Sequence, residues 1–243
     1  MPARWWQMRQ SCRLHPSRAG VDPLDRRQTE GRHMFDAVIF DLDGTLIDTE
    51  SLALASGIEA FASMGQPVDE AFMHGLVGKD LPTGARIIAA AFPELDLAEL
   101  DRRWTHGMKV LMDDGLPLKP GVEELLARLT LPRAIATSSG RDAAHAKIGR
   151  TGLAAHFEHI VTYDDVTAHK PFPDPYLLAA RLLGVDPARC VVFEDSDVGA
   201  EAAHAAGMHV IQVPDVMATE GRFAHLVAED LLSGAIAAGV ISA

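Results

Sequence analysis

Short apolar runs alternate with helix-patterned segments along most of the chain. Residues 35–40, FDAVIF, form a mostly apolar run of the kind found in strands that are buried on both faces of a parallel sheet. Four similar runs follow: RAIAT at 133–137, HIVT at 159–162, CVVFE at 190–194 and HVIQV at 209–213. Helical patterns occupy residues 122–129, 143–150, 175–183, 200–206 and the tail from 229. This alternation predicts an α/β fold with a Rossmann-like parallel sheet core and helices on both faces.

One interval between apolar runs is too long for a single strand–helix–strand unit. Such a unit needs about 30 residues, and the interval from Asp41 to Thr137 is about three times that length. Most of it has a helical pattern, so we expect an inserted α-helical cap subdomain at residues 49–117. The Rossmann-like catalytic core would then comprise residues 34–48 and 118–243. A helical insert placed directly after a strand end could act as a lid over a site there.

Composition and charge restrict the partners and the compartment. The 243 residues are 48% hydrophobic and 23% charged, which is ordinary for a soluble globular protein. The net charge of -12 argues against nucleic acid or an anionic membrane as a partner. The two cysteines, Cys12 and Cys190, are far apart and predict neither a disulfide scaffold nor a zinc site. We expect a cytoplasmic protein, favour a monomer, and interpret the Arg-rich residues 1–33 as a disordered N-terminal extension.

Two aspartates stand at the end of the first apolar run, in the stretch DLDGT. Residues two apart in a strand face the same side, so the carboxylates of Asp41 and Asp43 should lie close together. Two neighbouring carboxylates push one pKa upward, which suits a nucleophile paired with a general acid. Gly44 and Thr45 would allow a tight turn whose backbone N–H groups face an anion. The alternative is that the aspartates only cap a turn.

Polar residues follow three other apolar runs. Thr137 and Ser138 precede a helix, where hydroxyl and N–H groups can hold an anion or simply cap the helix. Lys170 lies in HKPFPDPY, and the flanking prolines would fix its loop. Glu194 and Asp195 end the fourth run, and converging carboxylates repel each other unless a cation is present. Hard oxygen ligands of this kind favour Mg²⁺.

In this order, the motifs resemble those of the haloacid dehalogenase-like hydrolase superfamily. The resemblance covers about residues 35–213 and is closest to the subgroup of β-phosphoglucomutases and sugar-phosphate phosphatases with a helical cap. It implies that Asp41 is a nucleophile that forms an aspartyl phosphate, and that Asp43 protonates the leaving oxygen and then activates water. Thr137 and Lys170 would hold the transferring phosphoryl group. Mg²⁺ would be bound by Asp41, the Asp43 carbonyl, Asp195 and Glu194, the last directly or through water.

The same resemblance guides the choice of function. We expect a phosphatase for a small phosphorylated metabolite, either a sugar phosphate or a phosphoglycolate type. A β-phosphoglucomutase-like phosphosugar mutase and a non-catalytic phosphosugar-binding protein are the alternatives. Mutases of this type carry a His and an Arg where this chain has Ala53 and, near the second position, Leu81. A receiver domain would place its acidic pair after the first strand, which this chain does not.

Substrate contacts are predicted at the first motif, after the second strand and in the cap. The residues expected to bind substrate are Gly44, Thr45, Thr49, Lys79 and Ser138. Further candidates near the cap are His74, Arg86, Trp104 and Lys119.

Overall fold

The computed structural model describes residues 34–76, 81–216 and 218–243, and of Leu81 it describes the backbone only. The strands are β1 (Ala37–Phe40), β2 (Arg133–Ala136), β3 (His159–Val161), β4 (Cys190–Glu194), β5 (His209–Gln212) and β6 (Leu226–Val227). The helices are α1 (Thr49–Ser63), α2 (Glu70–His74), α3 (Leu81–Ala91), α4 (Leu97–Asp114), α5 (Val122–Arg128), α6 (Arg141–Thr151), α7 (Asp174–Leu183), α8 (Asp197–Ala205) and α9 (Leu231–Ala237). The prediction for residues 1–33 lies outside the described residues.

The strands form one parallel sheet in the order β3-β2-β1-β4-β5-β6. In the register of β1 with its neighbours, Phe40 lies opposite Ile135 of β2 and Phe193 of β4. The three strands therefore end at nearly the same level. The strand order reverses between β1 and β4, and open α/β sheets bind ligands at such a point, beyond the carboxyl ends of the strands. The predicted parallel sheet is confirmed.

Alternating side chains of the central strands fill two cores, one on each face of the sheet. Phe40 and Phe193 stack at 5.1 Å between ring centroids on one face, where α5, α6 and α9 pack. Ile39 and Val192 face the other side and pack against α7 and α8. All four side chains are fully buried. Because successive strand residues face opposite sides, a continuous apolar run is what a sheet covered on both faces requires.

Helices α1 to α4 have a hydrophobic core of their own. Phe61, Met73 and Leu100 are buried in a cluster separate from the two sheet cores. Helices α1 and α4 approach closely at Gly57, where an added Cβ would lie 2.7 Å from the Trp104 ring. The inserted helical subdomain predicted from the sequence is therefore present.

The two linker segments that join the helical insert to the sheet run side by side. The backbone N–H of Asp48 donates to Pro117 O at 2.9 Å, and that of Lys119 donates to Leu46 O at 3.0 Å. These bonds lie beside the predicted junctions at residues 48 and 118. The division of the chain into core and cap at those residues stays a prediction.

Some details of the secondary structure differ from the sequence prediction. Four observed strands are one or two residues shorter than the predicted runs. Helix α8 begins at Asp197, three residues before the predicted pattern at 200–206, because the Ser196 side chain caps it by accepting from Gly199 N. The two-residue strand β6 was not predicted, since Leu226 and Val227 are too few to form a recognisable apolar run. Within the described residues, no helix has both the length and the apolar composition that crossing a membrane would require.

Candidate active site

Asp41 lies at the carboxyl end of β1 and is fixed by the sheet. Its backbone N–H donates to Phe193 O at 3.0 Å, so the residue still belongs to the β1–β4 ladder. The chain then turns at Gly44, whose φ of +83° falls in the left-handed region that favours glycine. The side chain of Asp41 is nearly buried, and its Oδ1 lies 2.6 Å from the Lys170 Nζ atom.

Lys170 connects two of the predicted carboxylates. Its Nζ atom donates to Asp41 Oδ1 and to Glu194 Oε1, both at 2.6 Å, and its side chain is only 5% exposed. The side chain comes from the loop before α7, which the Lys170–Pro171 cis peptide bond and Pro173 shape. The aromatic ring of Tyr176 lies below the ammonium group, 4.9 Å from it. The structure thus brings together Asp41, Lys170 and Glu194 at the switch point of the sheet.

Every oxygen of the Glu194 carboxylate is engaged within the protein. Oε1 accepts from Lys170 and from Tyr176 Oη at 2.7 Å, and Oε2 accepts from the backbone N–H and hydroxyl of Ser196 at 3.1 and 3.0 Å. The carboxylate fits over Gly199 at the start of α8, where an added Cβ would lie 1.6 Å from Oε1. This set of donors holds Glu194 in one orientation and directs Lys170 towards Asp41.

Asp195 lies beside the turn that follows Asp41. Its Oδ1 accepts a hydrogen bond from the Thr45 hydroxyl at 3.1 Å. Its Oδ2 is so near Gly44 that an added Cβ there would lie 2.5 Å from it. The glycine of DLDGT is therefore needed for two reasons, the positive φ and the close approach of this carboxylate. The structure thus brings Asp195, Gly44 and Thr45 together.

The charges in this cluster are not balanced by the protein alone. Burial raises the pKa of Asp41 to about 7; Lys170 opposes this rise, and the carboxylate of Glu194 adds to it. Burial likewise raises the pKa of Asp195 to about 9, together with repulsion from Glu194 and Asp41. Burial would also raise the pKa of Glu194, but Lys170 and the bonds from Tyr176 and Ser196 outweigh it, so this pKa is lowered. Lys170 is shared between Asp41 and Glu194, and a further cation beside these carboxylates would lower the pKa of both Asp41 and Asp195.

The oxygen atoms around Asp41 and Asp195 are of the kind that binds a hard divalent cation. Among the residues that the structure describes, no three Asp, Glu, His or Cys side chains converge to form a metal site by themselves. The predicted set has three carboxylates, those of Asp41, Asp195 and Glu194, together with the backbone carbonyl of Asp43. Both oxygens of Glu194 are already bound within the protein, so two carboxylates and the carbonyl remain for an ion. Few protein oxygens and several retained waters are characteristic of Mg²⁺ sites.

Asp43 is held on the side of the site formed by β2 and α6. Its Oδ2 accepts from the Ser139 hydroxyl at 2.7 Å, and its Oδ1 lies 2.6 Å from Lys147 Nζ. The Ser139 backbone N–H in turn donates to Thr137 Oγ1 at 3.0 Å. Thr137 is buried at the end of β2, and its hydroxyl has a proton of its own to donate to an anion.

The other predicted substrate contacts have different surroundings in the structure. Ser138 is exposed, and its neighbour Ser139 makes the contact with Asp43 instead. Thr49 is buried at the first position of α1. Trp104 packs in the cap core and donates to Ala53 O at 2.9 Å, while Lys119 pairs with Asp215. Lys79 lies outside the described residues.

Sequence reasoning missed four residues that shape the site: Ser139, Lys147, Tyr176 and Gly199. Tyr176 follows Lys170 by six residues in a segment that reads as an ordinary helix start, and nothing local shows that its hydroxyl reaches β4. Gly199 could have been suspected, because it stands directly before the helix predicted at 200–206, and a glycine can mark a close approach of another group to the backbone. Ser139 and Lys147 carried no distinguishing signal.

Comparison with known proteins agrees with this geometry. The sequence model of the family described as "Haloacid dehalogenase-like hydrolase" matches residues 38–213. The chain belongs to this family. It is 38% identical to the fructose-1-phosphate phosphatase YqaB of Escherichia coli over 187 residues, which cover 74% of this chain and 96% of that protein. It is 38% identical to hexitol phosphatase A of E. coli over 180 residues, which cover 72% and 81% of the two chains.

A solved structure of the same family has a closely similar fold. The HAD family hydrolase from Deinococcus radiodurans, crystallised with bound phosphate and sodium, superposes with a TM-score of 0.74 at 29% identity. The superposition covers 87% of this chain and 99% of that one. The fold and the family are therefore established for residues 38–213, including all four motifs.

Proposed function

We propose that the protein is a Mg²⁺-dependent phosphatase that hydrolyses a small phosphorylated metabolite of the sugar-phosphate or phosphoglycolate type. The observation that carries the proposal is the Asp41 carboxylate at the carboxyl end of β1, with the ammonium group of Lys170 at 2.6 Å. A nucleophile beside a fixed positive charge is what transfer of an anionic phosphoryl group asks of a protein. Relatives named as phosphatases for fructose 1-phosphate and hexitols support this substrate class.

The first step transfers the phosphoryl group to Asp41. An oxygen of its carboxylate forms a bond to phosphorus while the bond from phosphorus to the substrate oxygen breaks. Asp43, in its acid form, gives its proton to that departing oxygen, and an alcohol leaves. In the second step Asp43 removes a proton from water. The water oxygen bonds to phosphorus, the bond to Asp41 breaks, and inorganic phosphate is released.

The remaining motif residues bind and orient the phosphoryl group. Lys170 and the Thr137 hydroxyl would donate to its oxygens, and so would the backbone N–H groups of the Gly44–Thr45 turn and of Ser138. Lys79 and Thr49 stay candidates for contacts with the rest of the substrate. Positioning and charge neutralisation together account for most of the catalysis expected of such a site.

Asp41, Asp195 and the carbonyl of Asp43 would hold the Mg²⁺ ion. When bound, the ion supplies the positive charge that lets two anions, the carboxylate and the phosphate, come together. We assign Glu194 to a different task, because its four hydrogen-bond donors within the protein leave it oriented towards Lys170 rather than towards a metal. Any contact of Glu194 with the ion would be through water.

A substrate panel tests the proposal directly. The full chain is incubated with p-nitrophenyl phosphate, fructose 1-phosphate, a hexitol phosphate, β-glucose 1-phosphate and phosphoglycolate, and free phosphate is measured. We expect release of phosphate that requires Mg²⁺ and stops with EDTA. Conversion of β-glucose 1-phosphate to the 6-phosphate without release of phosphate would show a mutase instead.

Asp41→Asn is the matched test of the nucleophile. The amide is nearly the same size and cannot form the acyl phosphate, so we expect hydrolysis to fall to background while the thermal unfolding midpoint stays close to that of the wild type. Activity near the wild-type level in this variant would disprove the assignment of Asp41.

A further inference from the structure

Both carboxylate oxygens of Asp43 are held by partners from the β2–α6 segment. Lys147 Nζ lies 2.6 Å from Oδ1, and Ser139 Oγ lies 2.7 Å from Oδ2. The ammonium group also donates to the Ser139 hydroxyl at 3.1 Å, which closes a three-membered network. The Lys147 side chain is 13% exposed and that of Asp43 is 26% exposed. Lys147 belongs to none of the four motifs that define the site.

The local structure explains why Lys147 points inward. Ala144 and Ile148 form the buried stripe of α6, and Lys147 is one helical turn after Ala144, at the edge of that stripe. Its long side chain can therefore run along the helix towards the carboxyl end of the sheet. Ser139 is fixed from two sides, because its N–H donates to Thr137 and its carbonyl accepts from Tyr163 N at 3.0 Å.

We propose that Lys147, with Ser139, is a positioning residue that holds the Asp43 carboxylate where it can exchange a proton with the leaving oxygen and with water. The inference rests on the function proposed above. Asp43 follows the end of β1 in a tight turn, and nothing in a turn fixes the two side-chain torsions of an aspartate. Two donors, one on each oxygen, do fix them. Misplacing a proton-transferring group by about 1 Å can cost about 100-fold in rate.

A substrate-binding role for Lys147 would have different consequences. In the structure its ammonium group is directed at Asp43 and Ser139 and is largely buried, so we expect it to affect proton transfer more than substrate affinity. The two roles separate in kinetics: loss of positioning lowers kcat at nearly constant KM, whereas loss of a substrate contact raises KM.

The experiment compares leaving groups that differ in their need for a proton. The first substrate is the sugar phosphate that the wild-type enzyme hydrolyses fastest, and its leaving group departs as an alkoxide unless it is protonated. The second is p-nitrophenyl phosphate, whose leaving group is a stable phenolate. The value of kcat/KM reports the steps through release of this group. For Lys147→Met we expect kcat/KM to fall about 10- to 100-fold with the sugar phosphate and at least about fivefold less with p-nitrophenyl phosphate.

Three further variants distinguish a loss of positioning from general damage to the fold. Lys147→Arg keeps a donor to Asp43 and should recover part of the lost kcat. Ser139→Ala removes the other donor and should lower kcat/KM in the same leaving-group-dependent manner, by a smaller factor. Arg128→Met is the charge-matched control, since Arg128 lies on α5 and pairs with Glu124 of its own helix, and its kinetics should equal those of the wild type.

The outcomes distinguish this inference from the proposed function. Equal losses of kcat/KM with both leaving groups, an unchanged kcat, or a rise in KM alone would overturn the positioning role while leaving the phosphatase intact. A wild-type enzyme that hydrolyses no phosphate ester of the panel would overturn the proposed function, and the role of Lys147 with it.

Discussion

Glu194 shows how strongly a single buried residue determines this site. Its side chain is 1% exposed, and a buried carboxylate is tolerated only when it is paired and hydrogen-bonded. Lys170, Tyr176 and Ser196 provide those bonds. The same bonds keep the ammonium group beside Asp41, so the geometry of the proposed nucleophile depends on a residue that need not touch the substrate.

Gly199→Ala tests this dependence. An added Cβ would lie 1.6 Å from Glu194 Oε1 and 2.0 Å from its Cδ, so the carboxylate must move and its bond to Lys170 must change. We expect a loss of about 1–3 kcal/mol in the free energy of unfolding and a fall in kcat of about tenfold or more. Urea denaturation and steady-state kinetics measure the two effects.

Gly149→Ala is the matched control for that variant. Gly149 is in α6, and nothing lies within 4 Å of an added Cβ there. Alanine in this helix should be neutral or should stabilise the protein by up to about 1 kcal/mol, with unchanged kinetics. If both alanine variants behaved alike, the packing of Glu194 against α8 would not be the constraint described here.

The residues predictable from the sequence were those in compact motifs at strand ends. Asp41, Gly44 and Thr45 are consecutive or nearly so, and chemistry explains each of them without knowledge of the fold. Lys147 was not predictable, because a lysine on a helix is usually a solvated residue and its partner Asp43 is 104 positions away. Ser138 was chosen over Ser139 because a sequence does not show which of two adjacent hydroxyls faces inward.

Secondary-structure elements were predictable where they form continuous patterns. The five longer strands were predictable because each lies in a short, mostly apolar run, and the insert was predictable from the length of the interval and its helical pattern. The exact ends of helices and strands were harder to predict from the sequence. Helix α8 begins at a side-chain cap, and β6 consists of only two residues. Pairs that join distant elements, such as Lys119 with Asp215, have no local signature at all.

Two ion pairs between elements differ in burial and should differ in strength. Lys119, in the returning linker, lies 2.5 Å from Asp215 after β5, and the two side chains are 18% and 10% exposed. Asp215 Oδ2 is buried without a partner among the described residues. Arg150 of α6 lies 2.5 Å from Asp113 of α4, but these side chains are 43% and 46% exposed.

Replacing each cation by methionine should separate the two cases. Lys119→Met leaves a largely buried carboxylate unpaired and should lower the free energy of unfolding by about 3 kcal/mol. Arg150→Met should lower it by less than about 1 kcal/mol, because water screens that pair. Equilibrium urea unfolding of both variants gives the comparison, and losses of equal size would contradict this account of the linker.

At the scale of the whole molecule, stability should depend on a group of histidines at the amino ends of β5 and β6. His209 and His225 stack at 4.5 Å between ring centroids, and His225 Nδ1 accepts from Val210 N at 3.0 Å. Burial lowers the pKa of His209, and the neighbouring His225 adds to this effect. Burial also lowers the pKa of His225, with a further contribution from His204.

The sign of the resulting pH dependence follows from these shifts. Both histidines favour the neutral form in the folded state, so the unfolded chain takes up protons first as the pH falls below about 6.5. Their contribution to stability is fully present above that pH and is lost below it, at less than about 1.4 kcal/mol per pH unit for each proton, because both rings are partly exposed and solvent screens the effect. The raised pKa values of Asp41 and Asp195 act in the opposite direction between pH 7 and pH 5, so the contribution of the histidines is measured by urea unfolding as a difference between the wild type and a variant that lacks one of them.

His209→Phe isolates the effect, since it keeps an aromatic ring beside Phe35, which lies 5.1 Å from His209 between centroids. From pH 7 to pH 5, the free energy of unfolding should fall less in the variant than in the wild type. The difference should correspond to about one proton fewer taken up on unfolding. An identical pH dependence in the two proteins would mean that these rings titrate alike in the folded and unfolded chains.

The hydrogen bond from Asp41 N to Phe193 O has a consequence for how any catalytic cycle must proceed. It ties the proposed nucleophile to β4 at the centre of the sheet, where β1 and β4 are both fully buried, so its position is fixed by the sheet. We propose that the helical insert, which the paired linkers join to the sheet, brings the reacting molecule to the carboxylate oxygen atoms of Asp41 and releases the product. Selection among metabolites can accordingly diverge by altering that insert while the anchored oxygen stays where it is.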